Sequence, residues 1–114
     1  MIRIVTESMS DFTQEEAKAA DRIVMPLPIR FGMEEYWDDG VSLTQDDFYA
    51  RLRVAKELPK TSQVPVEHYR KCFNRLLENP EDEVLVITGS SKLSGCYQSA
   101  CIAREACPDP ARVT

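Results

Sequence analysis

The stretch that decides the fold is EVLVITGSSKLSG, residues 83–95, in which an apolar run gives way to a turn rich in hydroxyl groups. A short continuous apolar run such as residues 83–88 is typical of a strand buried on both faces of a parallel sheet. The next positions at helical spacing are Tyr97, Ala100, Cys101 and Arg104. A strand that leads through a turn into a helix is the repeating unit of α/β folds. The stretch therefore predicts one such unit, with the helix ending near Cys107.

The N-terminal part of the chain repeats this order. Residues 2–6 (IRIVT) are β-branched and apolar and predict a first strand. Thr13 then stands at an N-cap position, with Glu16 at capping-box spacing, which predicts a helix through Ala20. Cys72 and Cys101 sit on apolar helical faces, where we expect them to act as small core residues.

The middle of the chain is less regular. Residues 23–31 favour a strand, but Pro26 and Pro28 interrupt it, which predicts an edge or bulged strand. Residues 31–41 predict an extended arm or a small hairpin. Thr44 and Asp47 resemble a second capping box. The apolar face of the helix that would follow is Phe48, Leu52 and Ala55.

Residues 56–63 are interpreted as a linker, and Pro65 suits the first turn of another helix. That helix carries a strongly amphipathic pattern, formed by Tyr69, Cys72, Phe73, Leu76 and Leu77. Residues 111–114 resemble the start of a further strand. We therefore predict an α/β fold with a small, mostly parallel sheet of about three strands flanked by helices, and the unfinished sheet indicates a fragment or one half of a larger protein.

The composition of the chain excludes several classes of function. The 114 residues are 43% hydrophobic and 29% charged, as in a soluble globular domain, and the net charge is −5. Nucleic-acid binding needs clustered Lys and Arg, and no basic stripe is present, so we expect no nucleic-acid partner. The longest apolar run, residues 84–87, is far shorter than the ~20 residues of a membrane span. The N-terminus lacks a signal-peptide pattern, so a cytoplasmic location is the expectation.

Metal binding and nucleophilic catalysis have little support. The four cysteines form no C-x-x-C pair and the chain has one histidine, so we expect no metal and no cofactor. His68 lies on the flank of a helix, where a solvated position is expected. The acidic pairs 38–39 and 46–47 are interpreted as solvated surface.

The 88–95 turn carries the clearest chemistry. In α/β sheets, ligands bind beyond the carboxyl ends of strands, where helix N-termini offer unpaired N–H groups and a favourable dipole for anions. Ser94 stands at the predicted N-cap, Ser91 adds a further hydroxyl, and Gly95 permits close approach of the backbone. The simpler alternative is that Ser94 only caps its own helix. Neither a Walker loop nor a G-x-G-x-x-G motif is present.

Two other hydroxyl clusters accompany this turn: Thr61 with Ser62 before the Pro65 helix, and Ser8 with Ser10 after the first strand. A placement next to strand and helix ends permits all three clusters to converge on one edge of the sheet. Three hypotheses remain open at this point. The chain is a ligand-binding module, a hydrolase or transferase that uses Ser94 as nucleophile on a small carboxylate or phosphate, or an interaction domain whose serines only cap helices.

Four segments also resemble the N-terminal domain of the DegV family. They are IRIVTESMSD, VMPLPIRFG with EEYWDDGV, LPKTSQ, and VLVITGSSKLSGCYQSA, and they cover almost the whole chain in the family's order. The combination of LPKTSQ and SSKLSG is what makes the resemblance specific.

This resemblance implies a two-domain α/β protein that binds a long-chain fatty acid without catalysis of its own. Some related proteins present the fatty acid to a separate kinase, which phosphorylates its carboxylate. Thr61 and Ser94 would hold the carboxylate, Gly95 would offer an N–H group and Ser62 would assist, with Ser8 and Ser91 as further candidates. Residues 1–114 would be the N-terminal domain, without the C-terminal lipid-binding half.

The chain departs from the family's usual residues at two positions. Glu7 replaces an aspartate and lengthens its side chain, and Cys96 replaces a threonine and removes a hydroxyl beside the site. A ligand-binding role for position 96 is therefore not carried over.

Overall fold

The chain forms six strands and four α-helices in a computed structural model that describes residues 1–114. In chain order the elements are β1 (Ile2–Glu7), α1 (Gln14–Ala19), β2 (Arg22–Met25), β3 (Pro28–Phe31), β4 (Glu34–Trp37), α2 (Gln45–Val54), β5 (Lys60–Thr61), α3 (Val66–Leu76), β6 (Glu83–Ile87) and α4 (Cys96–Glu105). Short 3-10 turns cover Ser8–Ser10 and Pro110–Arg112. No helix combines the length and the apolar character needed to cross a lipid bilayer.

The first sheet is parallel, with the strand order β2-β1-β6. This confirms the α/β class and the parallel pairing that the apolar run of β6 predicted. At the outer edge of β6, Val113 forms a parallel bridge to Val84 and the Thr114 N–H donates to the Val84 carbonyl at 2.9 Å. The predicted strand start in residues 111–114 is thus limited to the last two residues, because Pro110–Arg112 forms a turn.

A second, antiparallel sheet of order β4-β3-β5 was not predicted. The prediction of an edge or bulged strand over residues 23–31 is correct for β2, which is an edge strand. It is wrong for the rest, because the chain leaves the first sheet at Pro26 and enters the second at Pro28 as a separate strand. Leu27 is held between the sheets: its N–H donates to Ser8 Oγ at 3.0 Å, and its carbonyl accepts the Asp38 N–H at 2.8 Å.

Of the two alternatives predicted for residues 31–41, the hairpin is confirmed, but its strands β3 and β4 span residues 28–37, with Gly32 at a φ of +61° in the turn. The linker predicted over residues 56–63 is wrong in part, because β5 pairs with β3. We call β3, β4, β5 and α2 together the arm. Thr61 therefore belongs to the arm, whereas Ser94 belongs to the parallel sheet's side of the molecule.

The helix starts follow the predicted caps closely. Thr13 forms the full capping box with Glu16. Thr44 accepts the Asp47 N–H at 3.2 Å, but the return bond from the Asp47 side chain is not formed. Pro65 is the N-cap of α3 rather than its first helical residue. The face of α2 is oriented as predicted but is only half-buried, so this helix packs loosely on the antiparallel sheet of the arm.

The core lies between the parallel sheet and the helices α3 and α4. The predicted apolar face of α3 is confirmed, since all five of its residues are buried. The prediction that β6 is buried on both faces is wrong: Val84 is buried, Leu85 and Val86 are half-buried, and Ile87 is exposed. The helices cover one face of this narrow sheet and leave the other face partly open. Cys101 is likewise half-buried rather than in the core.

Candidate functional site

The 88–95 turn connects the carboxyl end of β6 to the N-terminus of α4, as predicted. The prediction that Ser94 is the N-cap is wrong, because Gly95 occupies that position. Ser94 nevertheless satisfies the first helical N–H group, since its Oγ accepts the Cys96 N–H at 3.2 Å. The serine therefore has a structural bond and still has a hydroxyl proton to donate.

Backbone N–H groups at the start of α4 are available for a ligand. Those of Gly95, Tyr97 and Gln98 have no acceptor within the chain, as expected for the first turn of a helix. The residues carrying them line an open cleft of about 440 Å³, which we call the α4 cleft. Its lining residues are Ser91, Lys92, Leu93, Ser94, Gly95, Tyr97, Gln98 and Cys101. Hydroxyls, free N–H groups, the helix dipole and one lysine together favour an anion here.

Gln63, which the sequence argument left without a role, joins this turn to the LPKTSQ loop. Its Nε2 donates to Ser99 Oγ at 3.1 Å, and its amide group lies directly against Gly95. A Cβ on Gly95 would overlap Gln63 Oε1 and lie 2.7 Å from its Cδ. The glycine is therefore needed for the packing of Gln63. The only sequence signal for this was that Gln63 directly follows the hydroxyl pair Thr61 and Ser62.

This packing makes a testable prediction about Gly95→Ala. The new methyl group displaces the Gln63 amide and breaks its bond to Ser99, so Gly95→Ala and Gln63→Ala remove the same interaction. We expect the two substitutions to couple by about 1 kcal/mol in the free energy of unfolding, the value of one such hydrogen bond. Urea unfolding of the two single variants and the double variant measures this coupling.

The control cycle pairs Gly95→Ala with Gln98→Ala, since Gln98 is exposed and lies away from the space that the new methyl group enters. Additive costs are expected in the control. Additive costs in the Gln63 cycle as well would contradict the proposed contact.

The hydroxyls of Ser8 and Thr61 line a second cleft of about 270 Å³ between the first 3-10 turn and the arm, which we call the arm cleft. Ser8 is buried and its Oγ accepts the Leu27 N–H. Thr61 and Ser62 are exposed and also line a third cleft, of about 220 Å³, together with Arg30 and Lys60.

The three hydroxyl clusters therefore do not share one cleft and instead lie in two groups. Ser91, Ser94 and Gly95 share the α4 cleft, whereas Ser8 and Thr61 share the arm cleft. None of the three clefts contains both Thr61 and Ser94. Their loops meet through Gln63, two residues after Thr61.

Charge distinguishes the two larger clefts. The arm cleft is lined by Asp11, Asp38 and Asp39 and by no lysine or arginine. The α4 cleft has Lys92 and no carboxylate. Because like charges repel, a carboxylate ligand is favoured at the α4 cleft and disfavoured deep in the arm cleft.

The sequence model of a family described as "Uncharacterised protein, DegV family" matches residues 1–114, the full chain. The chain belongs to the DegV family. A DegV domain-containing protein of Halalkalibacterium halodurans is 41% identical over 99 residues, which cover 87% of this chain and 35% of that protein. A protein of Thermotoga maritima named "Fatty acid-binding protein" is 36% identical over 109 residues, covering 90% of this chain and 36% of its own length.

A solved structure has the same fold as this DegV-family chain. The stearic-acid-binding protein of Eubacterium ventriosum superposes with a TM-score of 0.84 and 34% identity, over 93% of this chain and 36% of that one. The chain thus spans little more than a third of the relatives that it matches.

The two positions at which this DegV-family chain departs from the expected residues lie side by side. Cys96 is 0% exposed and its thiol accepts the Val64 N–H at 3.4 Å. Burial raises the pKa of the Cys96 thiol, and the neighbouring Glu7 carboxylate raises it further. Cys96 does not line the α4 cleft. The replacement of threonine by cysteine at position 96 therefore changes a buried residue behind the α4 cleft and not a residue that lines it.

Two other residues considered from the sequence have structural roles in this DegV-family chain. The expectation that His68 is solvated is wrong, because it is half-buried and stacks on Trp37 with ring centroids 5.0 Å apart. Asp39 Oδ1 accepts the N–H groups of Val41 and Ser42, each at 2.8 Å. No cluster of three or more His, Cys, Asp or Glu residues is arranged to hold a metal ion.

The hypothesis of a serine nucleophile requires a base next to Ser94 Oγ. The hydrogen bond of this atom is to the Cys96 N–H, and no histidine, lysine or carboxylate is bonded to it. The thiol beside it is a poor base, because its raised pKa keeps it protonated at neutral pH.

Proposed function

We propose that this chain is the N-terminal domain of a two-domain protein that binds a long-chain fatty acid and holds its carboxylate. The observation that carries the proposal is the α4 cleft, where Ser94, Lys92 and three free N–H groups surround one space. The fatty-acid-binding protein of Thermotoga maritima and the stearic-acid-binding protein of Eubacterium ventriosum support the choice of ligand.

Ser94 and Gly95 donate hydrogen bonds to the carboxylate from one side, in this proposal. Thr61 donates from the arm with the help of Ser62, and the Gln63 contact keeps the two loops together. Ser91 and Ser8 are outer members of the set. Each hydrogen bond to a charged carboxylate contributes about 1.5–3 kcal/mol.

The acyl tail supplies most of the affinity, because each buried CH₂ group contributes about 0.8 kcal/mol. A tail of about sixteen carbons therefore contributes on the order of 10 kcal/mol when fully buried. The clefts of this chain are open to solvent and do not enclose such a tail, so the rest of the protein forms the tail tunnel in this proposal. The tail then contributes the larger share of the affinity, whereas the hydroxyls add a smaller share and fix the orientation of the carboxylate.

We infer that the domain has no catalysis of its own and presents the carboxylate to a separate fatty-acid kinase. A carboxylate held near the end of an open cleft is accessible to a second protein. Acyl phosphate formation in the presence of ATP, the kinase and the loaded protein, trapped with hydroxylamine as the hydroxamate, tests this step. The step would be contradicted if the loaded protein gave no more hydroxamate than free fatty acid incubated with ATP and the kinase alone.

The fatty-acid proposal is tested by mass spectrometry of the small molecules released when the full-length protein is denatured after purification. A free fatty acid in near-stoichiometric amount is the expected result.

Titration with palmitate and with methyl palmitate then separates the contribution of the head group from that of the tail. We expect the ester to bind at least about tenfold more weakly because it cannot accept charge-assisted hydrogen bonds. Residues 1–114 alone should bind palmitate far more weakly than the full-length protein. Recovery of no lipid together with no binding of palmitate would refute the proposal.

A further inference from the structure

Glu7 is a buried carboxylate at the end of β1. Its exposed fraction is 1%, and it forms no salt bridge with any lysine or arginine of the chain. Burying a carboxylate is costly unless hydrogen bonds compensate it. A residue that carries this cost next to the candidate site therefore calls for a specific role.

The carboxylate holds the beginning of the 88–95 turn. Glu7 Oε1 accepts the Gly89 N–H at 2.8 Å, across 82 residues of sequence. Gly89 packs closely against it, since a Cβ there would lie 3.0 Å from Oε1 and 2.7 Å from Met9 Cε. The turn is thus seated directly on the side chain of Glu7.

The same carboxylate neighbours the residue that follows the turn. The Cys96 thiol faces Glu7 at the start of α4, and the Cys96 N–H is the group that Ser94 Oγ accepts. Glu7 therefore contacts the first part of the turn through Gly89 and its far end through Cys96. The buried hydroxyl of Tyr69 lies close to both residues: burial raises its pKa, and the neighbouring Cys96 and Glu7 raise it further.

We propose that Glu7 is a positioning residue for the 88–95 turn, acting as the acceptor that fixes the Gly89 N–H and thereby orients Ser94 and the free N–H groups of α4. Glu7 does not line any of the three clefts, so it acts through the turn and not on the ligand. Only the effect on fatty-acid affinity rests on the proposed function. The effect on the turn is independent of it.

The first test is NMR on the 114-residue chain. In the wild type, a scalar coupling across the hydrogen bond between the Gly89 amide nitrogen and the Glu7 carboxyl carbon is expected. Glu7→Leu removes the acceptor and keeps the volume, so amide exchange of Gly89 should accelerate at least about tenfold beyond the change in global stability. Glu7→Gln retains an acceptor oxygen and should keep the rate within about threefold of wild type.

Thr6→Val is the matched control. Thr6 is also buried at the end of β1, and its Oγ1 donates to the carbonyl of Ile87, the last residue of β6, at 2.9 Å and not to an atom of Gly89. It should change Gly89 exchange only as far as global stability changes. Unchanged exchange in Glu7→Leu, or equal acceleration in Glu7→Gln and Glu7→Leu, would overturn the proposal. If Glu7→Leu does not fold, the test rests on the scalar coupling in the wild type and on amide exchange in Glu7→Gln. Absence of the coupling in the wild type would overturn the proposal.

The second test measures palmitate affinity in the full-length protein. We expect Glu7→Leu to weaken binding at least about tenfold, with Glu7→Gln and Thr6→Val close to wild type. Equal weakening by Thr6→Val would show a general loss of stability and overturn the positioning role. A wild-type protein that binds no palmitate would refute the fatty-acid proposal, whereas the NMR test would still decide the role of Glu7.

Discussion

Fatty-acid affinity is expected to fall by a factor on the order of 10² to 10⁴ when Thr61 and Ser94 are both replaced by alanine in the full-length protein. The reason is that two hydrogen bonds to a charged carboxylate are lost, each contributing about 1.5–3 kcal/mol, and every 1.4 kcal/mol is about tenfold in affinity. The acyl tail still contributes its burial energy, so the residual binding is weak and poorly oriented. Isothermal titration with palmitate, with the yield of co-purified lipid, measures the effect.

Ser90→Ala is the matched control for this double variant. Ser90 belongs to the same turn, is exposed, and its Oγ accepts the Lys92 N–H at 3.2 Å. It should leave affinity within about threefold of wild type. An unchanged lipid yield from the double variant would contradict the assignment of Thr61 and Ser94 as carboxylate-binding residues, even if the protein binds fatty acid through other residues.

The second large effect concerns stability. Phe73→Ala is expected to lower the free energy of unfolding of the 114-residue chain by about 3–5 kcal/mol. Phe73 is 0% exposed, packs against the Tyr69 ring with centroids 5.8 Å apart, and belongs to the main cluster of buried residues. At about 4–8 °C per kcal/mol for a domain of this size, Tm should fall by more than about 12 °C.

Phe12→Ala provides the comparison, because the same side chain is removed from a different environment. Phe12 is 37% exposed, lines the arm cleft and lies under the Arg22 guanidinium, 5.2 Å from the ring centroid. We expect a cost of about 1 kcal/mol or less. Similar losses for the two phenylalanines in thermal and urea unfolding would mean that the core does not lie where the packing places it.

Much of the first sheet could be predicted, because its signals are local. The apolar run of β6, the amphipathic face of α3 and the capping box at Thr13 each depend on neighbouring residues. The prolines predicted an interruption near Leu27, but the transfer of the chain to a second sheet could not be predicted, because the backbone bonds of Leu27 are to Ser8 and Asp38, which are distant in sequence. Two-residue strands such as β5 leave no periodic signal, since pairing with β3 alone defines them.

The candidate site divides in the same way. Ser94 and Gly95 could be predicted as candidates because a strand, a turn and a helix in sequence order predict an anion site. The exact start of α4 was missed by one residue, since serine and glycine are both common at N-caps. The roles of Gln63 and Glu7 could not be found, because their partners lie 36 and 82 residues away.

The division into two sheets has a consequence for how a ligand changes the protein. Under the proposed function, one carboxylate is bound by Thr61 on the arm and by Ser94 beside the parallel sheet. The ligand therefore connects the arm to the parallel-sheet part of the domain, which share few backbone hydrogen bonds. Binding energy is then partly converted into rigidity of the loosely covered arm. The loaded and empty forms would then present different surfaces to a partner. A partner that binds the arm would distinguish the two forms without contacting the buried tail.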